Sequence, residues 1–226
     1  MIKSDNYNNL NFLFNNKKIM IFDLDGTIAD TETFHWKAYN QLLKNKFNIE
    51  LSMDNISKYI GNAEINIYSM IKKDYNIDFN DQEFLDERLK VYLDLIDEYN
   101  LKPYIFIKEI LEKYSHLKMA LVTSQVPEII NLLISKWKLE KYFSKEKGNI
   151  FSCSNGIIKK VDCYKKIDKL LNIDLKEKIS GENIILFEDS NKYLSIGKEL
   201  GFTTIGIETK FNLNQLSSCD AILTSN

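Results

Sequence analysis

Short, unbroken apolar runs recur along this chain, and they constrain its fold more than any other feature. Ile19-Met20-Ile21-Phe22, Met119-Ala120-Leu121-Val122 and Ile184-Ile185-Leu186-Phe187 each stop abruptly at an acidic or hydroxyl residue. A run of that length without polar alternation fits a strand buried on both faces, as in a parallel sheet. A weaker run covers Thr203-Thr204-Ile205-Gly206-Ile207, and Ile150-Phe151-Ser152-Cys153 and Ala221-Ile222-Leu223 are further strand candidates. Helical periodicity fills the intervals at 105–115, 127–138, 162–172 and 191–200. Strands alternating with helices of this length predict βαβ units, hence an α/β fold with a doubly wound, Rossmann-like parallel sheet.

One interval departs from this rhythm. Residues 33–100 hold no strand candidate, only amphipathic segments at 34–46, 54–60, 64–75 and 82–99. They predict a small helical domain inserted after the first strand, with Pro103 marking the return to the core. The core is then discontinuous, 18–32 and 101–226, and residues 1–17 form an Asn-rich extension of unsettled order.

Composition narrows the function classes. At 226 residues the chain can bury a full core. With 30 basic against 32 acidic residues, a net charge of −2 gives no sign of a nucleic-acid or membrane surface. The cysteines Cys153, Cys163 and Cys219 are odd in number and lack paired spacing, so neither a disulfide framework nor a zinc site is expected. The polar N-terminus and the lack of a long apolar run lead to the expectation of a cytoplasmic protein. Oligomeric state is not legible.

In open α/β sheets ligands bind beyond the carboxyl ends of the strands, so the residues after each run carry the functional signal. Asp23 and Asp25 follow the first run, two carboxylates able to converge on a hard cation such as magnesium. Asp25-Gly26 alone is also a common turn pair. Thr123 and Ser124 follow the second, offering hydroxyls and a backbone N–H to a phosphate, although Ser and Thr also cap helices. Glu188 and Asp189 follow the third, and Lys159-Lys160 precede the helix at 162–172; alone, the acidic pair reads better as a helix cap and the lysines as a solvated charge pair. Their conjunction does not: acidic pair, hydroxyl, lysine and acidic pair suit magnesium and phosphate together.

That ordered set resembles the haloacid dehalogenase superfamily, and Phe22-Asp23-Leu24-Asp25-Gly26-Thr27-Ile28-Ala29-Asp30-Thr31-Glu32 is similar to its β-phosphoglucomutase-like branch. Residues 18–207 carry the resemblance. It implies a small helical cap, inserted at the interval found above, and a Mg2+-dependent phosphatase acting on a small phosphorylated metabolite. By the same resemblance Asp23 is the nucleophile that becomes an aspartyl-phosphate, and Asp25 the general acid and base. Thr123, Ser124 and Lys160 bind phosphate; the Asp23 carboxylate, the Asp25 backbone carbonyl and Asp189 hold the metal, with Glu188 in or next to its shell. True dehalogenases of the superfamily do not keep the second aspartate, which speaks against halide displacement.

The chain also departs from the branch. The third motif is usually Lys-Pro, but here the segment reads Ile158-Lys159-Lys160-Val161-Asp162-Cys163-Tyr164. Counting back from Tyr164 selects Lys160, with Lys159 a rival. Tyr193 stands where a small residue is common. His35 and Thr31 match positions of the branch's sugar-phosphate mutases, which keeps a mutase as the alternative and makes His35 a possible substrate residue. Glu64 opposes it, because mutases carry an arginine near that position and a glutamate repels a second phosphate. Glu64 further suggests a small, polar leaving group bearing an amine or hydroxyls. Two non-enzymatic readings fit less well. A receiver domain places its acidic pair before the acceptor and has no helical insertion, and a non-catalytic binding protein has no need of the whole set.

Overall fold

The structure, a computed structural model, describes residues 2–59, 64–154, 158–173 and 179–224. The strands are β1 (Ile2–Ser4), β2 (Ile19–Phe22), β3 (Lys118–Thr123), β4 (Ile150–Ser152), β5 (Ile184–Glu188), β6 (Thr203–Glu208) and β7 (Ala221–Thr224). The helices are α1 (Thr31–Phe47), α2 (Met53–Tyr59), α3 (Glu64–Tyr75), α4 (Asp81–Glu98), α5 (Ile105–Lys113), α6 (Pro127–Lys136), α7 (Lys160–Lys165), α8 (Ile167–Leu170) and α9 (Asn191–Glu199). Two compact units result, Met1–Asp30 with Lys102–Asn226, and Thr31–Leu101.

The first unit is a seven-stranded sheet in the order β1-β7-β6-β5-β2-β3-β4, with every pairing parallel. The α/β, Rossmann-like expectation is met. The central strands are apolar on both faces because both faces are covered: every residue of β2 is buried, as is every residue of β5. Phe22 stacks on Phe187 with ring centroids 4.5 Å apart. Phe22 is also in register with Leu121 on one side and Phe187 on the other, so β2, β3 and β5 end within two residues of one another. The chain runs from β2 outward to β4, then returns to the opposite side of β2 as β5. That reversal places the topological switch point at the carboxyl ends of β2 and β5.

One open point is answered and one local expectation needs correction. The Asn-rich lead-in is built into the core unit: β1 adds an edge strand to β7, and a 3-10 helix at Tyr7–Phe14 buries Leu10 and Phe14. Phe14 stacks on Tyr114 at 4.1 Å, an anchor hidden among the asparagines. The helix expected at 162–172 is two short helices, α7 and α8, with the break at Lys166 (φ −122°, ψ 13°).

The second unit is helical. Trp36, Tyr39, Tyr68, Phe84 and Tyr92 fill its interior, all buried. Three of its helices, α1, α3 and α4, stop at asparagines in the left-handed region: Asn48, Asn76 and Asn100 have φ of 55°, 52° and 48°. Asparagine tolerates that conformation better than most residues, so it ends helices here where glycine often does. Among the described residues no helix is long and apolar enough to cross a membrane.

Candidate active site

The site grows from the end of β2. The Asp23 backbone N–H donates to the Phe187 carbonyl at 3.1 Å, which carries the parallel ladder one residue past the strand and fixes the Asp23 side chain beside β5. Asp23 is 5% exposed. Lys160, the first residue of α7, places Nζ 2.7 Å from Asp23 Oδ1 and 3.2 Å from Glu188 Oε2. Lys159 is the exposed residue that precedes α7. The lysine that reaches the strand ends is therefore Lys160.

Glu188, fully buried at the end of β5, is held from several sides. Tyr164, four residues after Lys160 and so on the same helix face, donates its hydroxyl to Glu188 Oε2 at 3.1 Å. The Ser190 N–H donates to Glu188 Oε1 at 3.3 Å. Asp189 lies beside Gly26, whose φ of +70° opens a tight turn. A Cβ at residue 26 would overlap Asp189 Oδ2 and sit 2.8 Å from its Cγ, so glycine is required twice over, for backbone and for space.

Carboxylate oxygens of Asp23, Glu188 and Asp189 all lie within 4.8 Å of one another. Burial, then the Glu188 charge, drive the Asp23 carboxyl well above the usual range, against the opposing pull of Lys160. Burial acts to lower Lys160, but Asp23, Glu188 and Asp189 outweigh it and hold the ammonium charged. Three clustered carboxylates against one ammonium leave excess negative charge. An all-oxygen, all-carboxylate donor set suits a hard divalent cation rather than a thiophilic one.

The remaining predicted residues fall around this centre. Thr123, 1% exposed at the end of β3, accepts the Gln125 N–H on Oγ1 at 3.1 Å, while Ser124 is exposed. Asp25 is half-buried and accepts from Gln125 Nε2 at 3.3 Å. Tyr193 places its ring 4.7 Å from Lys160 Nζ, edge-on to Tyr164, so the bulky residue packs under the lysine. The sequence reading missed three contributors. Gln125 sits two residues past Thr123; Tyr164 carries a helical i+4 signal from Lys160; Asn212, which donates to the Asp189 carbonyl at 2.7 Å, has no local signal. His35 belongs to the helical unit, with its ring stacked on Tyr92 at 4.1 Å and Nδ1 3.0 Å from Arg88 Nη1. A guanidinium only donates, so Nδ1 accepts and the ring proton lies on Nε2. Gly61–Ala63 and the Glu64 side chain lie outside the described residues.

The sequence model of the haloacid dehalogenase-like hydrolases matches residues 20–207, most of the chain. The chain belongs to that family. Among curated relatives of this chain is a phosphoglycolate phosphatase of Aquifex aeolicus (strain VF5), 30% identical over 128 residues. The match covers 56% of this chain and 58% of that relative, so it spans little more than half of either protein. Two solved structures share the fold. A candidate β-phosphoglucomutase from Thermotoga maritima is 21% identical, with a TM-score of 0.68 over 92% of this chain and 94% of that one. CbbY from Rhodobacter sphaeroides, solved in complex with phosphate, is 15% identical, with a TM-score of 0.71 over 92% and 93%. The resemblance to the haloacid dehalogenase superfamily is thereby met, and the two solved structures share the fold.

Proposed function

We propose that this hydrolase is a magnesium-dependent phosphatase of small phosphomonoesters. The observation that carries the reading is the buried Asp23 at the end of β2, 2.7 Å from Lys160 and inside a carboxylate cluster. Asp23 attacks phosphorus; its carboxylate oxygen bonds to phosphorus as the bond to the leaving oxygen breaks. Asp25, oriented by Gln125, gives that oxygen a proton, then takes one from the water that releases phosphate from Asp23. Lys160 has three N–H donors, two of them facing Asp23 and Glu188, and the third is available to a phosphate oxygen. Thr123 and the exposed Ser124 serve the other oxygens. The Asp23 and Asp189 carboxylates, with the Asp25 carbonyl and Glu188 beside them, would hold Mg2+, which offsets repulsion between Asp23 and an anionic substrate.

Hydrolysis is favoured over phosphosugar mutation because the mutases carry a phosphate-binding arginine near the position of Glu64, where a glutamate repels a second phosphate. Structural likeness below 25% identity speaks for the fold alone. The name of the Aquifex relative makes phosphoglycolate a first substrate to test.

The test is phosphate release from a panel of small phosphomonoesters, including phosphoglycolate and a hexose 1-phosphate, with Mg2+ or with EDTA. Turnover that needs Mg2+ and falls about 100-fold or more in Lys160→Met is expected. Trapping with hydroxylamine should mark a peptide containing Asp23. No release from any panel member, or isomerised sugar phosphate as the main product, overturns the reading.

A further inference from the structure

Cys153 and Cys163 have no spacing that marks them as partners, yet the fold brings their sulfurs to 3.9 Å. Cys153 directly follows β4, and its backbone N–H donates to the Thr123 carbonyl at 2.7 Å. Cys163 lies on α7 three residues after Lys160, one turn along the helix that positions the lysine. Cys153 is partly exposed and Cys163 buried. Both pack in one apolar cluster with Ile21, Val122 and Tyr164, whereas Cys219 belongs to another with Leu194, Leu216 and Ile222.

We propose that Cys153 and Cys163 form an oxidative modification site, closed to a disulfide by a hydroperoxide, and that closure draws Lys160 away from Asp23. A disulfide requires sulfurs about 2.05 Å apart, so they must approach by roughly 2 Å. Cys153 is tied to β3 by its backbone hydrogen bond, and α7 is a short helix of six residues, so the backbone movement that closure demands beyond side-chain rotation falls on α7. A shift of that size breaks a 2.7 Å ion pair.

The chemistry balances. The Cys153 sulfur attacks the outer oxygen of the hydroperoxide; the O–O bond breaks, and the Cys153 proton passes to the departing oxygen so that the alcohol (water, for hydrogen peroxide) leaves. Cys163 then attacks the resulting sulfenic sulfur, and its proton departs with the hydroxyl as water. Two thiols lose two electrons and the peroxide gains them.

The experiment treats the whole protein with hydrogen peroxide, then maps peptides under non-reducing conditions and labels amines with an acylating reagent. A Cys153–Cys163 link with Cys219 free, Lys160 newly labelled, and reversal of both by dithiothreitol is the expected result. Cys153→Ser and, independently, Cys163→Ala should abolish link and label together. Absence of the link, a link through Cys219, or a link that leaves Lys160 unlabelled overturns the inference. The loss of turnover, expected at about tenfold or more in the oxidised protein, rests on the phosphatase reading. If neither redox state is active, that reading fails, while link and label still decide the dithiol.

Discussion

The two units bury polar groups in opposite ways. In the sheet unit, three carboxylates crowd within 4.8 Å at the strand ends around a single ammonium, and burial and repulsion keep Asp23 hard to ionise. In the helical unit the buried cation Arg88 lies against His35 and over the Tyr39 ring, with His35 itself stacked on Tyr92. The first arrangement is a conflict that a bound cation relieves. The second is packing that holds a helical pair together. A cluster that opposes its own ionisation is where function is expected to reside, because folding alone gives no reason to keep it.

The strongest way to break this contrast is Asp23→Asn, which removes charge with little change in volume. Magnesium-dependent phosphate release should fall by at least about 1000-fold. In EDTA the variant should unfold at a urea midpoint equal to or above wild type, since a repelled, buried carboxylate is gone and Lys160 keeps Glu188 at 3.2 Å. A variant that is both inactive and markedly less stable would show the cluster to be structural.

His35→Ala probes the other side. It removes the stack on Tyr92 and one acceptor facing the buried Arg88, a loss of about 2 kcal/mol from a ring pair and a buried hydrogen bond together. Urea unfolding reads that loss, and turnover of the folded protein should stay within about threefold of wild type. A larger fall in turnover than in stability moves chemistry into the helical unit and revives the mutase reading.

The same contrast explains what the sequence disclosed. Asp23, Thr123 and Glu188 were legible because each terminates an apolar strand, and parallel register brings such ends together without further information. Lys160 was legible only as one of a pair, since a helix start one residue earlier would have presented Lys159 instead. Tyr164 became meaningful once α7 put it one turn below Lys160. Asn212 and the cysteine pair depend on long-range packing, which leaves no local pattern. The N-terminal strand was hidden because three residues at a sheet edge are too few to show periodicity.

A last and smaller test asks whether conflict belongs to the strand ends or to any half-buried carboxylate of the sheet unit. Asp220 precedes β7, at the opposite edge of the sheet from the carboxyl ends. It accepts from the Thr204 N–H at 2.8 Å and the Thr204 hydroxyl at 3.1 Å, and pairs with Lys198 at 3.2 Å. Burial works to raise its carboxyl, but the Thr204 N–H and Lys198 outweigh it and hold it below the usual range. A depressed folded-state value means that the ionised form stabilises the fold. Its contribution is fully present above the unfolded carboxylate value of about 3.9 and is lost as pH falls through the lower, folded value. Lys198 is nearly half exposed, so screening limits the gain, and Asp220→Asn should cost only about 1 kcal/mol at neutral pH. Urea midpoints of wild type and variant, followed downward in pH, should converge below the folded value. A gap that persists there means the amide disturbs packing rather than charge. A variant more stable than wild type at neutral pH would extend the conflict beyond the strand ends and weaken the case that Asp23 is special.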